Sequence, residues 1–288
     1  MYEAVFDLGV QEHLTTSISR RLVDELPVIV VEHPVVSAAV TLQGAHLIAW
    51  QPAGEQPVLW LSSAATFKSG TAIRGGIPVC WPWFGPAGQP SHGFARISDF
   101  DLVQCEEDTD EVRLAFSLRA DDRTRRLWPH DFELFLRHRL GRECHVTLEA
   151  HGDHTTTGAL HSYLSVGDIG DVSVTGLGTR YIDNVTGTEG THTGPLTFPD
   201  RTDRAYTSPD PVTRIEDRAL DRTIEIHHHG NSDVVAWNPG PALSRTMPDL
   251  TAHSYRHFVC AETARITEPM AAAADAPATL ATTISVVR

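Results

Sequence analysis

Two side chains in this sequence have the chemistry of a proton-transfer pair, and two more have that of an anion clamp. His161 stands in Ala159-Leu160-His161-Ser162-Tyr163-Leu164, between apolar neighbours and after the turn-like Thr155–Gly158. An imidazole on a strand facing a pocket can act as general acid or base, because its pKa lies near neutrality. A buried, hydrogen-bonded packing histidine fits the same context, and with 16 histidines in the chain no single one carries much weight. Glu262 stands in Phe258-Val259-Cys260-Ala261-Glu262-Thr263, at the end of an apolar strand. Partial burial there raises a carboxyl pKa and favours a general-base role; an ordinary strand-end carboxylate is the alternative. Arg74 precedes Gly75-Gly76, where backbone can come close to a ligand and present N–H groups. Arg96 follows His92-Gly93-Phe94 on the same segment. Two guanidinium forks delivered together suit phosphate oxygens, unless each is spent on a nearby carboxylate such as Asp99.

The arginines belong to a segment unlike the rest of the chain. Lys68 to Ser98 reads KSGTAIRGGIPVCWPWFGPAGQPSHGFARIS, dense in Gly and Pro with aromatics interleaved. Such a stretch is neither a regular strand nor a helix, and rigid loops of this kind commonly carry binding residues. A long structural loop over a sheet edge is the plainer reading. Strand signals dominate elsewhere: Val36–Leu42, Glu111–Leu118, Glu133–Leu140, His145–Ala150, Asp171–Gly176, Thr223–His228, Asp233–Trp237, His257–Cys260 and Thr279–Val287. These runs are short, often β-branched or alternating, and separated by Gly, Pro, Asp and Asn. Helical windows are few; Asp121–Leu127 reads as one turn or two. With no βαβ alternation, repeat or low-complexity linker, the expected architecture is all-β: one large antiparallel β-sandwich domain over residues 1–288.

Bulk properties narrow the partners. The 288 residues carry a formal net charge of −14 and include a single lysine, Lys68. An acidic surface repels nucleic acid and anionic membranes, so neither is an expected partner. Any anion site must rest on Arg, His and backbone N–H groups. Four scattered cysteines without a C-x-x-C pair read as reduced thiols. The N-terminus lacks a basic region followed by an apolar core, and no apolar run reaches a membrane span, so a cytoplasmic location is expected. The tract His227–His229 raises a metal reading. Consecutive strand residues alternate faces, though, and no third ligand stands at a common spacing, so no metal is expected. Nucleotide-binding and nucleophile-elbow fingerprints are also missing.

A resemblance sharpens this reading. The segment IRGGIPVCWPWFGPAG…HGFAR, from Ile73 to Arg96, resembles the hexose-6-phosphate mutarotase branch of the aldose 1-epimerase-like superfamily, the glucose-6-phosphate 1-epimerases. The likeness continues in order through Gly44-Ala45-His46, Pro57–Phe67, Leu127–Leu134, Ala159–Ile169, Thr202–Tyr206, Val234–Pro239 and Phe258–Thr263. It implies a galactose mutarotase-like supersandwich that interconverts the anomers of a hexose 6-phosphate without a cofactor. It further implies His161 and Glu262 as catalytic residues, Arg74 and Arg96 as substrate- and phosphate-binding arginines, and Asp203 as a substrate-binding aspartate. Ser91 sits where relatives often place a substrate-binding Gln, and His92 adjoins the set. Two departures bear on pocket shape: Gly240 follows WNP where relatives carry a bulky aromatic, and TMPDL replaces a MADF-like stretch. An epimerase of unphosphorylated aldoses and a non-catalytic sugar-binding module are the rival functions. No sequence feature sets an oligomeric state.

Overall fold

The computed structural model describes residues 2–288. Three antiparallel sheets account for its architecture. The first is a five-stranded meander, paired in chain order from Val10–His13 to His46–Pro52. The second has eight strands and runs from Val172–Thr175 at one edge, through Arg222–His229 and Ala278–Val287, to Asp101–Glu107 at the other. The third carries the candidate chemistry. Its order is Thr188–Thr191, Arg180–Asp183, Thr202–Tyr206, Asp233–Asn238, Phe258–Ala272, His154–Leu160 and Val79–Cys80, with Tyr163–Ser165 also paired to Phe258–Ala272.

The strand pattern explains why the sheets pack face to face. In Phe132–Leu140, the residues Phe132, Leu134, Leu136 and Leu140 are buried while Arg137 and Arg139 point outward. That alternation turns one sheet face to the core and leaves the other to solvent. Outward residues meet across strands, as in Arg139–Glu111 and Arg119–Glu133. Exposed pairs of this kind each contribute about 0–1 kcal/mol. Stability rests instead on one contiguous apolar cluster reaching from Ile18 to Ile284 and drawing residues from all three sheets.

All nine expected strands occur, with ends shifted by a few residues. The largest difference is at His257–Cys260, where the strand instead runs from Phe258 to Ala272. The helical window becomes Asp122–Leu127, opened by a capping box in which Asp121 and Thr124 satisfy each other's backbone N–H groups. Lys68–Ser98 is irregular apart from the two-residue strand Val79–Cys80 and two single 3-10 turns. Its aromatics anchor it: Trp81 packs edge-on against Phe94, Trp128 and Phe132.

Gly75 and Gly76 were expected to bring backbone close to a ligand. They bring it close to the protein itself. A Cβ on Gly76 would stand 2.3 Å from the Leu47 carbonyl oxygen, and its φ is +64°. Gly76 N–H donates to the Trp60 carbonyl at 2.8 Å, so the glycine pair lets three chain segments meet under the arginine. Gly76→Ala is therefore expected to lower stability by about 3 kcal/mol or more, from left-handed strain plus the backbone clash. Urea unfolding with an unchanged slope and a lower midpoint is the check.

Candidate active site

Pairing register brings the proton-transfer pair together. Leu160 lies opposite Thr263, and Tyr163 lies opposite Cys260, on the long strand. The break between the two short strands, His161-Ser162, therefore faces Ala261-Glu262. His161 is thus not within a strand, and Thr155–Gly158 is not a turn but part of the strand His154–Leu160, with a register shift. Outside the ladder, His161 donates its backbone N–H to the Pro78 carbonyl at 3.1 Å. Its Nε2 stands 3.3 Å from Glu262 Oε1. Both residues are almost fully enclosed, at 7% and 1% exposure.

The floor around Glu262 carries mostly small side chains on the same sheet face. Cys80, Ala159, Ala205, Val235 and Ala264 form a buried cluster there, with Phe84, Trp237 and Ile266 packed against it. Above this floor opens a cleft of about 690 Å³ whose lining includes Arg74, His92, His161, Asp203, Trp237 and Glu262. That volume falls in the range of small-molecule sites. The Tyr163 ring stacks parallel to the His161 imidazole at 4.7 Å, and Trp237 meets it edge-on at 6.1 Å. The imidazole plane is therefore set by aromatics on two sides.

The electrostatics favour neutral forms. Burial pushes the Glu262 carboxyl well above the usual carboxylate range; neighbouring Asp203 adds to the rise and Arg96 opposes it. Burial likewise holds His161 well below the ordinary histidine value, reinforced by His92, Arg74 and Arg96. His92 is pushed down to about 3 by burial and by the same two arginines, Arg96 first. Its ring accepts a hydrogen bond at Nδ1 from the Gly85 N–H, at 3.3 Å. Both shifts favour the neutral forms, a protonated carboxyl and an unprotonated imidazole, in two groups within reach of each other. Glu262 Oε2 and His161 Nδ1 are both buried without a protein partner.

Of the expected substrate residues, Arg74, His92 and Asp203 line the cleft with His161 and Glu262. Ser91 and Arg96 do not line it. Ser91 Oγ donates to the Gly85 carbonyl at 3.2 Å, and Arg96 Nη2 donates to the Ser91 carbonyl at 2.8 Å. Both fasten the loop that presents His92, and the Arg96 charge acts on His92, His161 and Glu262 from behind it. Arg74 is bound to Asp249, not Asp99, and to the Tyr163 hydroxyl. Asp203 accepts a hydrogen bond from Asn184 Nδ2 at 2.8 Å.

Asn184, Met247 and Asp249 were not found by sequence reasoning. Asn184 lies in the turn after Arg180–Asp183, where an asparagine reads as ordinary turn chemistry. Met247 and Asp249 lie in the TMPDL piece, whose departure from the expected pattern was the only signal. Gly240 has a structural explanation. Its φ is +64°, and a Cβ there would stand 2.5 Å from the Arg201 backbone nitrogen, so this backbone has no room for an aromatic. Gly240 does not line the cleft; Met247, from the segment that follows it, does. The tract His227–His229 is also accounted for, since His228 is buried between the hydroxyls of Thr263 and Thr213.

Comparison with known proteins identifies the family. The family model described as Aldose 1-epimerase matches residues 27–284. A Salmonella typhimurium protein provisionally named a glucose-6-phosphate 1-epimerase is 51% identical over 293 residues, covering 100% of both chains. The crystal structure of a Salmonella typhimurium protein provisionally named a mutarotase superposes with a TM-score of 0.98 at 51% identity, covering 99% of each chain. Galactose 1-epimerase from Lactobacillus acidophilus, at 13% identity, covers 96% of this chain and 99% of its own with a TM-score of 0.68, a likeness of fold alone.

Proposed function

This chain belongs to the aldose 1-epimerase family, and from that premise we propose that it interconverts the α and β anomers of a hexose 6-phosphate, glucose 6-phosphate foremost. The observation that carries the reading is the 3.3 Å approach of His161 Nε2 to Glu262 Oε1 on the floor of the cleft. Anomer exchange requires the ring to open, the C1–C2 bond to turn, and the ring to close on the other carbonyl face. Opening removes the proton of the anomeric hydroxyl and adds one to the ring oxygen. Glu262 takes the first and His161 supplies the second; closure reverses both roles. One proton held by the pair is enough for a full cycle, and the chemistry calls for no cofactor. The contact is slightly longer than an aligned hydrogen bond.

Arg74 is assigned to the phosphate, with Arg96 supporting the field. Phosphate on Arg74 also helps the chemistry. The Arg74 charge is one of the causes holding His161 below its ordinary pKa. Neutralising that charge favours the proton on His161, where ring opening needs it. Binding at the remote end of the sugar is thereby turned into rate. Asp203, held by Asn184, and the Trp237 ring are assigned to the sugar ring itself. The enzyme is proposed to act in the cytoplasm as one domain of 288 residues. No helix among the described residues is long and apolar enough to cross a membrane.

Magnetisation-exchange NMR of glucose 6-phosphate and of free glucose tests the reading. Faster exchange is expected for the phosphosugar, with a smaller effect on glucose. Equal acceleration of both sugars would keep the acid–base chemistry and remove the phosphate assignment. Acceleration of neither, with saturable phosphosugar binding, would make the chain a binding module.

A further inference from the structure

Among the described residues Arg74 is the only Arg or Lys lining the cleft, and its donors are already largely engaged. A guanidinium has five N–H groups. Arg74 Nε and Nη2 both reach Asp249 Oδ2 at 2.9 Å, and Nη1 donates to the Tyr163 hydroxyl at 2.8 Å. One N–H on each Nη is left for a ligand. Asp249 is itself fastened, because Ser62 Oγ donates to its carbonyl at 2.7 Å. Its second carboxylate oxygen, Oδ1, is buried with no protein partner. Asp249 does not itself line the cleft, but it is bonded to Arg74, which does, and Met247, two residues earlier, forms part of the cleft wall.

This arrangement has two effects. Asp249 and Tyr163 hold the guanidinium in one place, which a long flexible arginine does not do alone. The Asp249 carboxylate also answers much of the Arg74 charge before any substrate arrives. A phosphate dianion taking the two remaining N–H groups meets that carboxylate as a like charge across one guanidinium. Resting on the reading of the site given above, we propose that Asp249 is a specificity-determining and positioning residue. It orients Arg74 and, by its charge, limits how tightly the phosphate end of the substrate is held. Such restraint suits a reaction whose two anomers both carry the phosphate, because affinity beyond what seats the phosphate on Arg74 would hold substrate and product alike and slow product release.

The test uses the intact enzyme and its Asp249→Asn, Asp249→Ser and Asp249→Glu variants. Asp249→Asn keeps an acceptor for Arg74 and removes the charge; Asp249→Ser gives the same reading if the amide variant does not fold. Inorganic phosphate is titrated by calorimetry, and KM is measured for glucose 6-phosphate and for glucose. Loss of the charge is expected to tighten phosphate and lower the glucose 6-phosphate KM by about tenfold, a size set by unit charges within one guanidinium of each other near a protein surface. The KM for glucose should stay within about twofold, and Asp249→Glu should return phosphate affinity toward wild type. Unchanged phosphate affinity on removal of the charge would overturn the proposal. Weaker phosphate binding in both neutral variants would also overturn it, leaving Asp249 as mere support for Arg74. The phosphate titration does not depend on turnover. Tighter phosphate in a protein that accelerates neither sugar would keep this inference and remove the epimerase reading; active enzyme with unaltered phosphate affinity would do the reverse.

Discussion

His161→Ala and Glu262→Gln are each expected to slow enzyme-driven anomer exchange of glucose 6-phosphate by about 10²–10⁴-fold, the usual contribution of one positioned proton-transfer group. Phosphate binding should change by less than about threefold in either variant, because the proposed phosphate contact, Arg74, is left in place. The two losses should not add. Each residue works on the proton the other gives up, so the double variant is expected within about tenfold of the slower single. Glu262→Gln is the cleaner change. It keeps the shape of a group whose neutral form burial favours, so stability should be equal to wild type or higher. Exchange spectroscopy on the three variants, with thermal unfolding alongside, checks all of this. A Glu262→Gln enzyme within threefold of wild type would remove the carboxyl from the mechanism and leave His161 to be explained without its partner.

Why this pair was legible in the sequence, and its surroundings less so, has a physical cause. His161 and Glu262 lie in apolar runs, and a polar group in an apolar run is rare enough to stand out. Their convergence was not legible from spacing, because it depends on register between Phe258–Ala272 and two short strands that read as one continuous piece. The β-sandwich followed from alternation and turn residues. The N-terminal meander was largely missed: Leu26–His33 reads LPVIVVEH, a run buried almost throughout, whose period is hidden. Arg74 was found for its chemistry, and its neighbours were misjudged. Gly75-Gly76 looked like a ligand cradle but serves a crossing of three backbone segments. Asp249, 175 residues away, had no local feature to mark it as the arginine's partner.

Acid sensitivity follows from histidines outside the site, and here too the sign is set by burial. Burial pushes His46 down to about 3, His138 to about 4 and His228 to about 3; a backbone carbonyl contact opposes the shift at His46 and His138, and the flanking His229 and His227 deepen it at His228. Their exposures are 0%, 1% and 6%, so solvent screening is small. In the unfolded chain each takes a proton below about 6.5. A folded-state value below the unfolded one means that stability is complete above 6.5 and is lost as pH falls toward 4 and then 3. Three protons bound only by the unfolded state give a slope of about 4 kcal/mol per pH unit in that window, and about 6 kcal/mol lost between pH 8 and pH 5. The loss is comparable with the whole stability of a typical domain, so unfolding near pH 5 is expected without any change in carboxylate ionisation. Urea midpoints at pH 8, 6.5 and 5 measure it directly. A midpoint that stays level from 6.5 to 5 would mean the three histidines are charged inside the folded protein, against their burial.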